Sequence, residues 1–402
     1  MNQEERRQKR QDEFKHAAVV VTVFVLVLAV MIIGAAAALH KFLPKGTKEV
    51  KTPDTQSTEI SDDTQTSQNG SDVAEPAVDP LDEQAAQIVS GMALEDKVAQ
   101  MFVITPEALT GYTSVTAAGD TTKTAYESRP VGGLIYMADN LLSTEQTTEM
   151  LTNMQNIAME RTGLPAFLSV DEEGGTVARV AANEAFGVTN VGNMSDIGAA
   201  GDAQKAYDAG VTIGTRSFGS DASMVADMVI KELEGLSSQG VFGAVKHFPG
   251  QGGVSGDSHD GAVTLDKSLE ELMQTELVPF QKALENGVSF VMVGHISVPQ
   301  VVGDNTPASL SQMMVSNVLR EQLGYQGIVI TDAMNMGAVT GNYTADQAAV
   351  MAVNAGVDMI LMPQDYETAY NGLLQAVQDG TITEERIDES VERIVKVKLQ
   401  MQ

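Results

Sequence analysis

The chain has no cysteine and no tryptophan among its 402 residues, and aromatic side chains make up only 5% of it. Without thiols there is no disulfide framework, no thiolate zinc site and no cysteine nucleophile. Basic residues are scarce too: 25 Lys and Arg stand against 54 Asp and Glu, a formal net charge of −29. That sign argues against a nucleic-acid partner, because binding the phosphate backbone depends on neutralising it with Lys and Arg. What is plentiful is aliphatic. Hydrophobic residues reach 43%, enough for a core built from aliphatic side chains and methionine rather than a chain disordered throughout.

The one long apolar run lies near the start, from Ala17 to Leu39, and carries no charge. A helix needs roughly 20 such residues to cross the hydrocarbon core. A cleaved signal peptide competes with this reading, since Ala35 to Ala38 offers a small-residue cleavage site. The run exceeds the roughly 7–15 residues of a signal-peptide core, which favours an uncleaved anchor. Arg6, Arg7, Lys9, Arg10 and Lys15 precede it and Lys41, Lys45, Lys48 and Lys51 follow, so the positive-inside bias is slight. The expected layout is a cytoplasmic tail at 1–16, a transmembrane anchor at 17–39, a disordered linker at 40–80 and an extracytoplasmic domain at 81–402. The linker is rich in Thr, Ser, Asp, Gln, Pro and Gly and lacks apolar periodicity, so it buries too little to offset chain entropy.

Within 81–402, short apolar β-prone runs alternate with amphipathic stretches, which means α/β. The runs are Ala99–Ile104, Gly132–Met137, Ala166–Asp171, Val241–Lys246, Ser289–Gly294, Gly327–Asp332 and Val357–Met362. Several are apolar on both faces, as in a parallel sheet covered on both sides. Ser143 with Gln146, and Thr344 with Gln347, resemble capping boxes that open helices, and Ser268 precedes another helical run. A closed TIM-type (β/α)8 barrel needs eight strands. Here one is missing from the long interval between Ala166 and Val241, where Val211-Thr212-Ile213 is the only weak candidate.

In a parallel barrel, chemistry collects at the C-terminal strand ends. Those ends are rich here. One run closes in Asp171-Glu172-Glu173-Gly174-Gly175, another in Lys246-His247-Phe248-Pro249-Gly250, and two more meet His295 and Asp332. The glycine-rich loop after His247 holds Asp257 and His259 two residues apart. A carboxylate beside an imidazole orients the ring and raises its proton affinity, which suits proton transfer near neutral pH. A metal site is the competing use, but His259 with Asp257 and Asp260 lacks the spacing of a zinc ligand set.

Taken in order, the Asp171–Gly175 motif, Arg216-Ser-Phe-Gly-Ser-Asp221, Lys246–Gly250, Asp257-Ser-His259, Val291–His295 and Ile330-Thr-Asp332-Ala-Met334 resemble glycoside hydrolase family 3. Asp-Ser-His marks its β-N-acetylhexosaminidase branch. The resemblance implies Asp332 as nucleophile, His259 as acid/base and Asp257 as the group that orients His259. It implies Asp171, Arg179, Arg216, Lys246 and His247 as sugar-binding residues, with no metal or organic cofactor. His295 reads equally as a sugar contact or a structural residue.

The chain departs from the family pattern in three places. Thr176 stands where the family commonly has Arg, and Gln251-Gly-Gly-Val254 replaces a His-Gly-Asp-Thr-like stretch. The family's fourth strand, which precedes the Arg-Ser-Phe-Gly motif, is absent: Gly214 runs directly into Thr215-Arg216. Three activities are compatible with this reading. They are hydrolysis of terminal β-GlcNAc from cell-wall or related glycans, a β-GlcNAc phosphorylase, and an inactive glycan-binding envelope protein.

Overall fold

A computed structural model describes residues 79–201, 203–206, 218–252, 254, 261 and 263–402. The chain divides into two units, Met1–Ala74 and Glu75–Gln402, and every described residue lies in the second. The tail, the anchor and nearly all of the linker expected above lie outside the described residues. So do Val211-Thr212-Ile213, Arg216, Asp257 and His259. No described helix is long and apolar enough to cross a membrane.

Each of the seven runs contributes one strand of a parallel array. They are β1 (Phe102–Ile104), β2 (Gly133–Tyr136), β3 (Phe167–Val170), β4 (Ala244–Phe248), β5 (Phe290–Val293), β6 (Ile328–Thr331) and β7 (Ile360–Leu361). One ladder runs β7-β1-β2-β3 and another β6-β5-β4. A parallel bridge between Ile330 and Met359 joins them, so the spatial order is β4-β5-β6-β7-β1-β2-β3. β1, β2 and β6 are buried at every position, the both-faces burial that their unbroken apolar sequences require.

Three strand starts lie three residues later than the sequence pattern, β7 among them, which begins at Ile360 rather than Val357. Ala99 and Gln100 belong to the helix Leu94–Gln100, so β1 begins at Phe102. Val241 and Phe242 are exposed, and β4 begins at Ala244, which faces Phe290, the first residue of β5. Residues before Ala244 have no partner strand beside them. The helix starts hold. Ser143 accepts the Gln146 amide at 3.3 Å to open Thr144–Thr162. A reciprocal capping box opens Leu269–Gln274 at Ser268, and at the start of Ala345–Ala355 the Thr344 amide donates to Gln347 Oε1 at 3.1 Å.

The array ends at β3 and β4, and no ladder joins these two strands among the described residues. The resemblance expects a fourth strand between them, and residues 207–217, just before and into the Arg216 motif, lie outside the described residues. Side chains bridge the seam instead. Near the strand starts, the ring of Phe167 on β3 meets that of Phe290 on β5 edge-on at 5.2 Å, and Phe242 lies 6.1 Å from Phe290. Near the strand ends, Lys246 of β4 reaches Asp171 just beyond β3 at 3.2 Å. Rings and an ion pair thus connect edges that no ladder joins among the described residues.

The β6–β7 junction is held differently. Asp358, fully buried, accepts from the Val329 amide at 2.8 Å, the Ser390 hydroxyl at 2.7 Å and Arg393 at 3.1 Å, and it pairs with Arg320. One carboxylate therefore ties β6 to the helices Met313–Gln322 and Glu384–Leu399. Asp358→Asn is expected to lower unfolding free energy by about 3 kcal/mol, because two guanidinium groups lose their counter-charge. Equilibrium urea unfolding measures this, and a loss under about 1 kcal/mol would mean that solvent already compensates the arginines.

Lys398 lies fully buried on the last helix, donating to Gln100 Oε1 at 2.8 Å with its amine 5.2 Å from the Phe167 ring. Burial pushes this amine down to about 7 from the ordinary 10.5. Between those values the unfolded chain holds a proton that the folded chain has released, so stability rises with pH across the window. Relative to Lys398→Met, the wild type is expected to gain up to about 1.4 kcal/mol per pH unit between about pH 7 and pH 10. Urea midpoints of the two proteins that run parallel with pH would contradict this.

Candidate functional site

All seven strands are parallel, so the ends of β3, β4, β5 and β6 share one rim. The three consecutive acids after β3 have separate tasks. Glu172 opens a short antiparallel hairpin, Glu172–Gly174 with Val177–Ala178. Its carboxylate accepts the backbone amides of Arg179, Val180 and Ala181 at 2.7, 2.6 and 3.1 Å. This fixes the turn that carries Arg179. Glu173 and Asp171 instead converge on Lys246.

β4 delivers Lys246 and His247 through an irregularity. Val245 pairs with Val291 and Phe248 with Val293, so β4 holds one more residue than β5 over the same interval. Neighbouring residues of a regular strand point to opposite faces. A bulge re-aims them, and here both reach the rim: Lys246 contacts Asp171, and His247 Nε2 lies 3.7 Å from Asp332 Oδ2. The latter is beyond hydrogen-bond range and is an ion pair only when the ring is protonated. Burial opposes the charge on Lys246, but Asp171 and Glu173 outweigh it and hold the amine above its ordinary value. Gly250 ends the turn at φ +130, where a Cβ would stand 2.6 Å from Glu276. Only glycine lets this loop rest against the following helix.

Asp332 follows β6 and is 14% exposed at its side chain. Its amide donates to Val293 O at 2.9 Å, and Oδ1 accepts the Ala333 amide at 2.8 Å. Oδ2 is left facing His247. His295 is 1% exposed, with Nδ1 2.7 Å from Ser309 Oγ and Nε2 3.0 Å from Ala333 O. Of the two readings open for it, this burial selects the structural one.

Asp171, Lys246, His247 and Asp332 are therefore brought together, and Arg179 stands on the adjoining turn. Its Nε is buried and has no hydrogen-bond partner among the described residues. The sequence motifs did not single out two nearby acids. Glu173 is one, hidden in a run of three acids, and Glu232 on the helix Ala222–Ser238 is the other. Burial, with the charge of Glu173 adding to it, pushes Glu232 up to about 8. The only sequence signal for Glu232 is an acid between Lys231 and Leu233, six residues before the end of that helix.

Comparison with known proteins places the chain. The profile described as the Glycosyl hydrolase family 3 N terminal domain matches residues 93–213 and 202–397. The chain belongs to glycosyl hydrolase family 3. The two matched pieces overlap at residues 202–213. This family 3 chain is 30% identical over 367 residues to Beta-hexosaminidase LpqI of Mycobacterium tuberculosis, covering 82% of this chain and 90% of that protein. It is 29% identical over 325 residues to Beta-hexosaminidase A of Pseudoalteromonas piscicida, covering 67% of this chain but 54% of the relative, about half its length. A solved family 3 beta-N-acetylglucosaminidase from Paenibacillus sp. str. FPU-7 superposes with a TM-score of 0.71 at 35% identity, over 77% of this chain and 63% of that one.

The charge on Lys246 separates two carboxylates, so Lys246→Met is expected to cost about 2 kcal/mol of stability at neutral pH. Because the folded value of this amine is raised, its contribution is complete below the ordinary 10.5 and is lost only above it. The deficit of the variant is thus flat from about pH 7 to pH 10, the opposite of the sloping difference at Lys398. An unchanged urea midpoint at neutral pH would show that the ion pairs add nothing.

Proposed function

We propose that this chain is a retaining exo-β-N-acetylhexosaminidase that removes terminal β-GlcNAc from cell-wall or related glycans through a covalent glycosyl-enzyme. The observation that carries the reading is Asp332 at a barrel strand end, one oxygen held by the Ala333 amide and the other 3.7 Å from His247. A carboxylate so fixed is suited to in-line attack on an anomeric carbon. In the first step Asp332 bonds to that carbon while His259 gives its proton to the leaving oxygen. In the second, His259 takes a proton from water, the water oxygen bonds to the carbon and Asp332 leaves, restoring the starting configuration. Asp257 orients His259, as a carboxylate orients histidine in a serine triad. Asp171, Arg179, Arg216, Lys246 and His247 hold the sugar hydroxyls and the N-acetyl group. The run Ala17–Leu39 supports tethering to the cell membrane as a single-pass anchor, with residues 81–402 outside the cytoplasm.

A second reading, a glycan-binding protein without turnover, rests on the seam between β3 and β4, which no ladder joins among the described residues.

The assay is release of nitrophenol from its β-GlcNAc glycoside, with Asp332→Ala as control. Wild-type turnover that falls by roughly three orders of magnitude in the variant supports the nucleophile. Equal rates remove it. Formation of GlcNAc-1-phosphate on adding phosphate identifies a phosphorylase, and GlcNAc binding without turnover identifies the second reading.

A further inference from the structure

We propose that His295 and Ser309 form a buried clamp that positions Asp332, with His295 held as the neutral tautomer protonated on Nε2. The inference rests on the reading of Asp332 as the nucleophile. It begins with donor chemistry. A backbone carbonyl only accepts, so the 3.0 Å approach of His295 Nε2 to Ala333 O requires a proton on Nε2. In the neutral ring Nδ1 then accepts, and the Ser309 hydroxyl 2.7 Å away donates to it. Ser309 is itself fully buried in the turn Ala308–Leu310, and its amide donates to Gly294 O at 3.3 Å. The serine is thereby tied back to the residue before His295.

The target of the clamp is a single residue with two duties. The Ala333 amide holds Asp332 Oδ1 at 2.8 Å, and the Ala333 carbonyl is the group that His295 grips. Two further bonds restrain the same turn from both sides: Asp332 N–H to Val293 O and Met334 N–H to Leu361 O, each 2.9 Å. These fix the backbone before and after Ala333. The carbonyl takes the Met336 N–H at 3.1 Å from within its own turn and His295 Nε2 at 3.0 Å from the segment after β5. Among the described residues His295 is thus the contact that ties this carbonyl, and with it the peptide that aims the amide at Asp332, to a neighbouring element. Truncating the imidazole removes one of this carbonyl's two donors, leaves only the turn's own bond from Met336, and loosens the peptide that aims the amide. A shift of even about 1 Å in a reacting group lowers turnover by about two orders of magnitude. His295 is therefore a positioning residue and does not touch the sugar. It acts on the rate of the chemical step more than on substrate binding.

The experiment uses the full chain in two measurements. In the first, ¹⁵N-histidine NMR, with the His295 signals assigned by their loss in His295→Gln, reads the tautomer directly. A proton on Nε2 supports the clamp, and a proton on Nδ1 overturns it whatever the activity. In the second, kcat and KM are measured on the nitrophenyl glycoside, with circular dichroism confirming the folded fraction. His295→Ala is expected to lose about 10- to 100-fold in kcat with KM changed less than about threefold. His295→Gln retains an N–H for Ala333 and recovers part of the loss, while Ser309→Ala falls between. An unchanged kcat, or a loss matched by the unfolded fraction, overturns the proposal. If Asp332→Ala keeps wild-type turnover, the functional reading falls, and the tautomer alone then decides whether the clamp exists.

Discussion

Lys246 is the charge through which the two ends of the sheet meet. A parallel array with its first and last strands unpaired exposes rows of amides and carbonyls at both edges. Here the edge strands β3 and β4 approach at their C-terminal ends because Asp171 and Glu173 on one side share the ammonium of the other. The same contact sets the rim. It draws the acidic turn after β3 towards the bulge of β4, and the bulge places His247 opposite Asp332. In a chain with a net charge of −29, a cation at this point also keeps neighbouring carboxylates from repelling one another apart.

The other junction, between β6 and β7, uses the inverse arrangement: one buried carboxylate among arginines. Its hydrogen bonds to Val329 and Ser390 satisfy the remaining lone pairs, the condition under which a buried ion network is tolerated. Asp358 sits two residues before β7, and Asp332 sits just past the end of β6. One end of this strand pair thus carries the structural charges and the other carries the candidate chemistry, the division of labour expected of a parallel barrel.

Much of this was legible in the sequence, for identifiable reasons. The seven strands stood out because double-sided burial demands unbroken apolar runs. Asp171, Lys246, His247 and Asp332 could be assembled on one rim because parallel strands bring their C-terminal ends together. Strand starts were less certain: Ala99 is apolar in a helix and would be apolar in a strand, and Val241 and Phe242 are β-prone yet lie ahead of their partner. Single-residue environments were the least readable. Lys398 looks like a cation placed in a last helical turn to meet the helix dipole, but the turn packs beneath Phe167. Glu232 looks like a solvent-facing acid until the helix is seen to direct it towards Glu173.

The register of β1 between β2 and β7 pairs the domain's first strand with its last. The contact from Gln100 to Lys398 joins residues 298 positions apart. At roughly 5–20 residues per second, synthesis of that interval takes about 15–60 s. Throughout that time one side of β1 has no partner, and its apolar residues Phe102, Val103 and Ile104 await a strand not yet made. The domain therefore reaches its native closure only once almost all of its sequence is available, and a nascent chain halted before Ile360 presents β1 to chaperones and proteases rather than to β7.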